Sequence, residues 1–134
     1  MTTDELPSNL KYTQTHEWVR LDGDIATVGV TAYAAEELGD VVFLDLPWDD
    51  AGTRDLEASG HFGDIESVKA TSELFSPVSG ALLSVNDRLR DQPELVNTSP
   101  YDEGWMITVR VSDPAQLDGL MDSAAYEKYT ASLH

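Results

Sequence analysis

Gly63-Asp64-Ile65-Glu66-Ser67-Val68-Lys69-Ala70-Thr71-Ser72-Glu73-Leu74-Phe75-Ser76-Pro77-Val78-Ser79-Gly80 sets one lysine between two short, strand-prone stretches. The neighbours of Lys69, Val68 and Ala70, are uncharged and small enough to leave its amine accessible. An exposed lysine on a hairpin can serve solubility alone. Yet the chain has only three lysines, Lys11, Lys69 and Lys128, and avoids the residue elsewhere. A lysine offered for acylation is the alternative: an amide replaces the ammonium and a long flexible arm carries the reactive group. That chemistry needs a rigid, protruding turn, which a modifying enzyme can grip while the arm sweeps outward. No Asn-Gly or Asp-Gly pair marks such a turn in this stretch.

Outward from it, the chain reads as short strands. Glu17 to Leu21 and Ile25 to Val30 are joined by Asp22-Gly23-Asp24, the signature of a tight hairpin. Thr31 is placed to cap a helix over Ala32 to Leu38, which Gly39 would stop. Asp40 to Leu46 is a strand ended by Pro47, and an acidic loop runs from Trp48 to Asp55. Leu56 to Val85 is strand-like, punctuated by Gly60, Gly63, Pro77 and Gly80. Asn86 to Tyr101 reads as a loop, interrupted by Pro93 and Pro100.

Met106 to Val111 alternates apolar and polar like a half-buried strand. Asp113-Pro114 starts a helical turn, with Gln116 placed for a capping box and Ser123 for the cap of a last helix through Tyr129. Gly39 to Leu44 and Gly80 to Val85 echo one another faintly, as a two-layered sheet structure allows. The expectation is one mainly β domain over 1–134, with a polar leader over 1–9.

At 134 residues a chain can bury roughly two-thirds of its unfolded surface, enough for one core. Twenty-five acidic against eight basic residues give a formal charge of −17, which disfavours nucleic acid and anionic membranes as partners. No apolar run spans a bilayer, and the acidic N-terminus lacks the features of a secretion signal, so a cytoplasmic protein is expected. Fifteen aspartates against three lysines suit a very salty cytosol, the surface of a halophile. The absence of cysteine removes disulfides, thiolate metal sites and thiol chemistry from the polypeptide.

Catalytic patterns are missing. There is no phosphate-cradling glycine loop and no G-x-S-x-G elbow. His16, His61 and His134 have no metal-ligand spacing and read as packed or solvated. Asn97-Thr98-Ser99 matches a glycosylation acceptor by chance, and pairing carboxylates among twenty-five has no specificity. No catalytic residue and no metal ligand is assigned.

Glu66-Ser67-Val68-Lys69-Ala70-Thr71-Ser72 resembles the lipoylation motif of the H proteins of the glycine cleavage system. Further blocks follow in that family's order: His16-Glu17-Trp18-Val19, Leu38-Gly39-Asp40-Val41-Val42-Phe43, Pro93-Glu94-Leu95-Val96-Asn97 and Gly104-Trp105-Met106. Leu74, Gly80 and Leu82 also fit the wider lipoyl pattern, at five, eleven and thirteen residues beyond the lysine. The resemblance runs from Leu10 to about Tyr126.

It implies a lipoyl/biotinyl-type barrel-sandwich hybrid: two small antiparallel sheets, a short internal helix, a C-terminal helix, and Lys69 at a hairpin tip. It implies lipoic acid, amide-linked to Lys69, which supplies the two sulfurs the chain lacks. The lipoyl group would accept an aminomethyl group from a pyridoxal-phosphate glycine decarboxylase and pass it to a tetrahydrofolate-dependent aminomethyltransferase. Dihydrolipoyl dehydrogenase would reoxidise it, and a lipoate-attaching enzyme would install it. The protein would be a carrier without catalysis of its own, and a monomer.

The family holds the loaded arm in a cleft; the matching residues here are Glu17, Thr15 and Glu73, of which Thr15 and Glu73 depart from the family's serine and aspartate. A role as lipoyl donor to other proteins, or as the lipoyl domain of a 2-oxo acid dehydrogenase, remains open. A biotin carrier does not, because methionines would flank the lysine where Val68 and Ala70 stand.

Overall fold

The computed structural model describes residue 7 and residues 9–133. Most of the polar leader, and His134, fall outside the described residues. Among the described residues nine strands form two antiparallel sheets. The larger contains β1 (Lys11–Tyr12), β2 (Glu17–Asp22), β3 (Ile25–Val30), β9 (Ile107–Val111), β8 (Gly80–Val85) and β5 (Asp55–Leu56), adjacent in that order. The smaller has β4 (Val41–Asp45), β6 (His61–Ser67) and β7 (Thr71–Phe75). These are the two antiparallel sheets expected. The residues that echo one another, Gly39 to Leu44 and Gly80 to Val85, supply one strand to each sheet.

Alternation sets the faces. In β3, Ala26, Val28 and Val30 are buried; in β9, Ile107, Val109 and Val111 are; Leu44, Ile65 and Leu74 come from the three strands of the smaller sheet. They meet in one apolar cluster between the sheets. A second cluster of Leu10, Tyr12, Trp18 and Tyr126 packs the C-terminal helix α4 (Ser123–Ala131) on the larger sheet, with the Tyr12 and Tyr126 rings stacked 4.8 Å apart. Gly29 lies opposite Trp18, and a Cβ there would come within 2.7 Å of the indole.

Local signals held at several places. The β2–β3 hairpin turns on Gly23-Asp24, with Gly23 at φ +65°, the left-handed first position of a type II′ turn. Helix α1 spans Ala32–Leu38; the Thr31 hydroxyl accepts the Ala34 amide at 3.2 Å, and Gly39 ends the helix at φ +82°.

Other expectations need correction. The loop from Asn86 to Tyr101 contains two single-turn helices, α2 (Arg88–Asp91) and α3 (Leu95–Thr98), each short enough to fit between prolines. Gln116 closes no capping box: its side-chain oxygen accepts the Ser79 amide at 2.7 Å and its nitrogen donates to the Ser79 hydroxyl at 3.0 Å. Asp113 does cap Pro114–Gly119, but as a 3-10 turn, and Asp122 rather than Ser123 caps α4. Among the described residues no helix is long and apolar enough to cross a membrane.

Candidate functional site

Lys69 stands exposed at the turn between β6 and β7. Its rigidity comes from a serine rather than a glycine. Buried Ser67 donates its amide to the Ala70 carbonyl at 2.8 Å, and its hydroxyl accepts the amides of Lys69 and Ala70 at 3.3 and 3.1 Å. The Val68 amide donates to the Asp40 carbonyl at 3.1 Å, tying the turn to the α1–β4 connection. There the lysine stem passes over Gly39, where a Cβ would lie 3.5 Å from Lys69 Cε. Lys69 makes no ion pair among the described residues, which leaves its nitrogen free to react.

Asn97 fixes that connection. Its side chain donates to the Gly39 carbonyl and accepts the Val41 amide, both at 2.9 Å. The glycosylation-like triplet is therefore a structural element: one amide closes two backbone groups of the loop beneath the lysine.

From the Lys69 turn, β7 leads to Glu73, two residues into the strand and roughly 7 Å along it from Thr71 at about 3.3 Å per residue. A cleft of about 170 Å³ lies there, lined by Thr15 and Glu73 with Glu37, and by apolar Val30, Leu38 and Leu74. The structure thus brings Thr15 and Glu73 together. Glu17 lies behind Thr15, 1% exposed, on the wall of a second cleft of about 450 Å³ that Thr15 also lines. Its Oε1 accepts the hydroxyls of Thr13, at 2.7 Å, and Thr15, and its Oε2 accepts the Phe75 amide at 3.2 Å. Burial pushes the Glu17 carboxyl above its ordinary range, and these hydrogen bonds oppose the shift.

His16, between Thr15 and Glu17, has φ +72°. Its Nδ1 lies 2.7 Å from the Tyr126 hydroxyl, which in turn is 2.7 Å from Thr31 Oγ1, and its ring packs 4.9 Å from Tyr33. Burial lowers its basicity, with Glu37 opposing. Of the two readings expected, packed or solvated, it takes the packed one, and it ties α4 to the cleft. Thr13, the Phe75 amide and this network escaped sequence reading, because hydrogen bonds across strands leave no local motif.

His61 belongs to strand β6. A bulge before Gly63 puts it on the same exposed face as Asp64, whose carboxylate it meets at 3.0 Å, with Glu73 beside them. Asp64 and Glu73 face each other across β6 and β7, and the imidazole hydrogen-bonds the first of them.

Chemically, the site offers an accessible amine on a rigid turn. Along β7 from it, a partly apolar cleft has hydroxyl and carboxylate oxygens suited to an ammonium group.

The sequence profile described as "Glycine cleavage H-protein" matches residues 10–133. A probable glycine cleavage system H protein of Haloarcula marismortui is 52% identical over 122 residues, covering 91% of this chain and 94% of that relative. A glycine cleavage system H protein of Brevibacillus brevis is 51% identical over 123 residues, covering 92% and 95%. The solved structure of a glycine cleavage system H protein from Mycobacterium marinum superposes with a TM-score of 0.81 at 31% identity, covering 96% of this chain and 98% of that one.

Proposed function

The chain belongs to the glycine cleavage H-protein family, a family of lipoyl carriers, and from that premise we propose that Lys69 bears the lipoyl group and that Thr15, Glu17 and Glu73 hold its loaded end. The protein's role is lipoyl carrier in glycine cleavage. The observation that carries the assignment to Lys69 is its position: an exposed amine with no ion pair among the described residues, on a serine-braced turn from which β7 leads to a cleft with acidic walls.

The residues present fit lipoate. When bound, lipoate supplies a disulfide that can take up an aminomethyl group and two electrons, chemistry that a cysteine-free chain cannot provide. The chain's own part is positioning. The Lys69 ammonium gives up two protons and its charge on becoming an amide, while Ser67 keeps the turn in place. Leu38 and Leu74 give the cleft a dry wall, and Glu73 supplies a negative charge to an ammonium group there. Glu17 orients the Thr15 hydroxyl from behind.

The partners in this reading are a pyridoxal-phosphate glycine decarboxylase, a tetrahydrofolate-dependent aminomethyltransferase, dihydrolipoyl dehydrogenase and a lipoate-attaching enzyme, all in the cytosol. The protein positions the arm and its partners perform the chemistry.

Intact mass of protein purified from its own host tests the assignment. One added lipoyl group is expected, lost in Lys69→Arg together with glycine cleavage, while the thermal melt stays unchanged. Lipoylation retained by that variant would move the site elsewhere.

A further inference from the structure

Three large apolar side chains stand exposed around the lysine turn: Val42 at 48%, Phe43 at 54% and Val68 at 70%. Their grouping follows from the register. Val41 pairs with Ser67 and Phe43 with Glu66, which leaves Val42 as the extra residue of a bulge, and Val68 directly follows Ser67. All three thus lie within two residues of one cross-strand pair, on the edge strand β4 and on the turn that presents Lys69. The ground around them is acidic. Asp40, Asp45 and Glu66 are exposed, and none makes an ion pair among the described residues.

We propose that Val42, Phe43 and Val68 are the docking surface for the enzyme that acylates Lys69, a partner presenting an apolar depression ringed by basic side chains. The proposal rests on Lys69 being the attachment site. Clustered apolar side chains in a polar rim mark protein-contact surfaces, and an aromatic among them is the usual anchor. Carboxylates around the patch favour a cationic partner and speed the encounter.

Reach decides which enzyme. The acylating enzyme must bring its reacting carbonyl to Nζ itself, so its surface has to cover the residues beside the turn. Enzymes acting at the far end of the arm stand an arm's length away. In that step the deprotonated Nζ forms a C–N bond to the carbonyl carbon of an activated lipoyl group, the C–O bond to the activating group breaks with its electrons leaving on that oxygen, and the nitrogen's surplus proton passes to the leaving group or to water. Nothing is oxidised or reduced.

The test uses unmodified protein, the lipoate-attaching enzyme of its host, lipoate and ATP. Phe43→Gln and Val68→Ser are compared with Leu21→Gln, a control exposed to 37% on the larger sheet. Phe43→Gln is expected to lower kcat/KM for lipoylation by about tenfold, carried by KM, the loss typical of an anchor residue. Val68→Ser is expected to act in the same direction, Leu21→Gln to be silent, and all melts to match the parent. Wild-type kinetics in Phe43→Gln and Val68→Ser would overturn the surface while leaving Lys69 as the attachment site. An equal loss in Leu21→Gln would overturn it as well. Wild-type protein that gains no lipoyl group on Lys69, read by peptide mass spectrometry, would sink the attachment site and this surface together.

Discussion

The carboxylate of Glu17 accepts the backbone amide of Phe75 at 3.2 Å, joining the first residue of β2 to the last residue of β7 and so one sheet to the other. A buried acid at that joint makes stability depend on pH. Its carboxyl is raised above the ordinary value of 4.5 in the fold, so the native state holds the proton more tightly than the unfolded chain. The neutral form is therefore favoured by folding, and Glu17's contribution declines as pH rises from the unfolded value through the folded one. Wild-type protein should lose stability relative to Glu17→Gln across that interval, with the difference flat above it. Melts of both proteins over a pH series measure this; parallel curves would remove Glu17 as the source.

Replacing the same residue should also act on the cargo. Glu17→Ala removes the acceptor that orients the Thr15 hydroxyl toward its own side. The lysine should remain fully modifiable, while the aminomethylated form decays faster. Following its release of formaldehyde and ammonia checks this, and an unchanged lifetime would take Glu17 out of the holding site.

Asn97→Ala leaves the Gly39 carbonyl and the Val41 amide without their partner. The expected cost is about 1–3 kcal/mol, the usual penalty for stranding buried backbone groups. Denaturant unfolding reads it, and a loss within a few tenths of a kcal/mol would mean that water replaces the amide.

The five arginine–carboxylate ion pairs among the described residues are all solvent-exposed and contribute little, whereas the chain carries a charge of −17. Self-repulsion should dominate at low ionic strength. The melting temperature is expected to climb steadily with salt, and a flat response would contradict a surface suited to a saline cytosol.

Much of the fold was legible locally. Thr31 and Gly39 delimit α1, and Gly23 turns the first hairpin, because caps and left-handed glycines act within a few residues. Lys69 and Gly80 were legible through family resemblance, and the structure gives Gly80 its physical reason: a Cβ there would sit 2.0 Å from the Arg110 carbonyl oxygen. The lysine turn was not legible from turn residues, since a serine side chain braces it in place of glycine. Gln116 misled because it had a distant partner, Ser79, better placed than its own helix start. Glu17's burial was likewise hidden. Its hydroxyl partners lie close in sequence, but the Phe75 amide that completes its shell comes from the other sheet.

The smaller sheet is drawn entirely from one contiguous stretch, Val41 to Phe75, while the larger gathers strands from Lys11 to Val111. Short loop closures are entropically easier than long ones, so the platform beneath Lys69 needs the least chain to assemble. During synthesis its last strand leaves the ribosome ahead of β9. The handle is then complete while β2 and β3, already made, still await β9, the strand that joins them to β8 and closes the larger sheet.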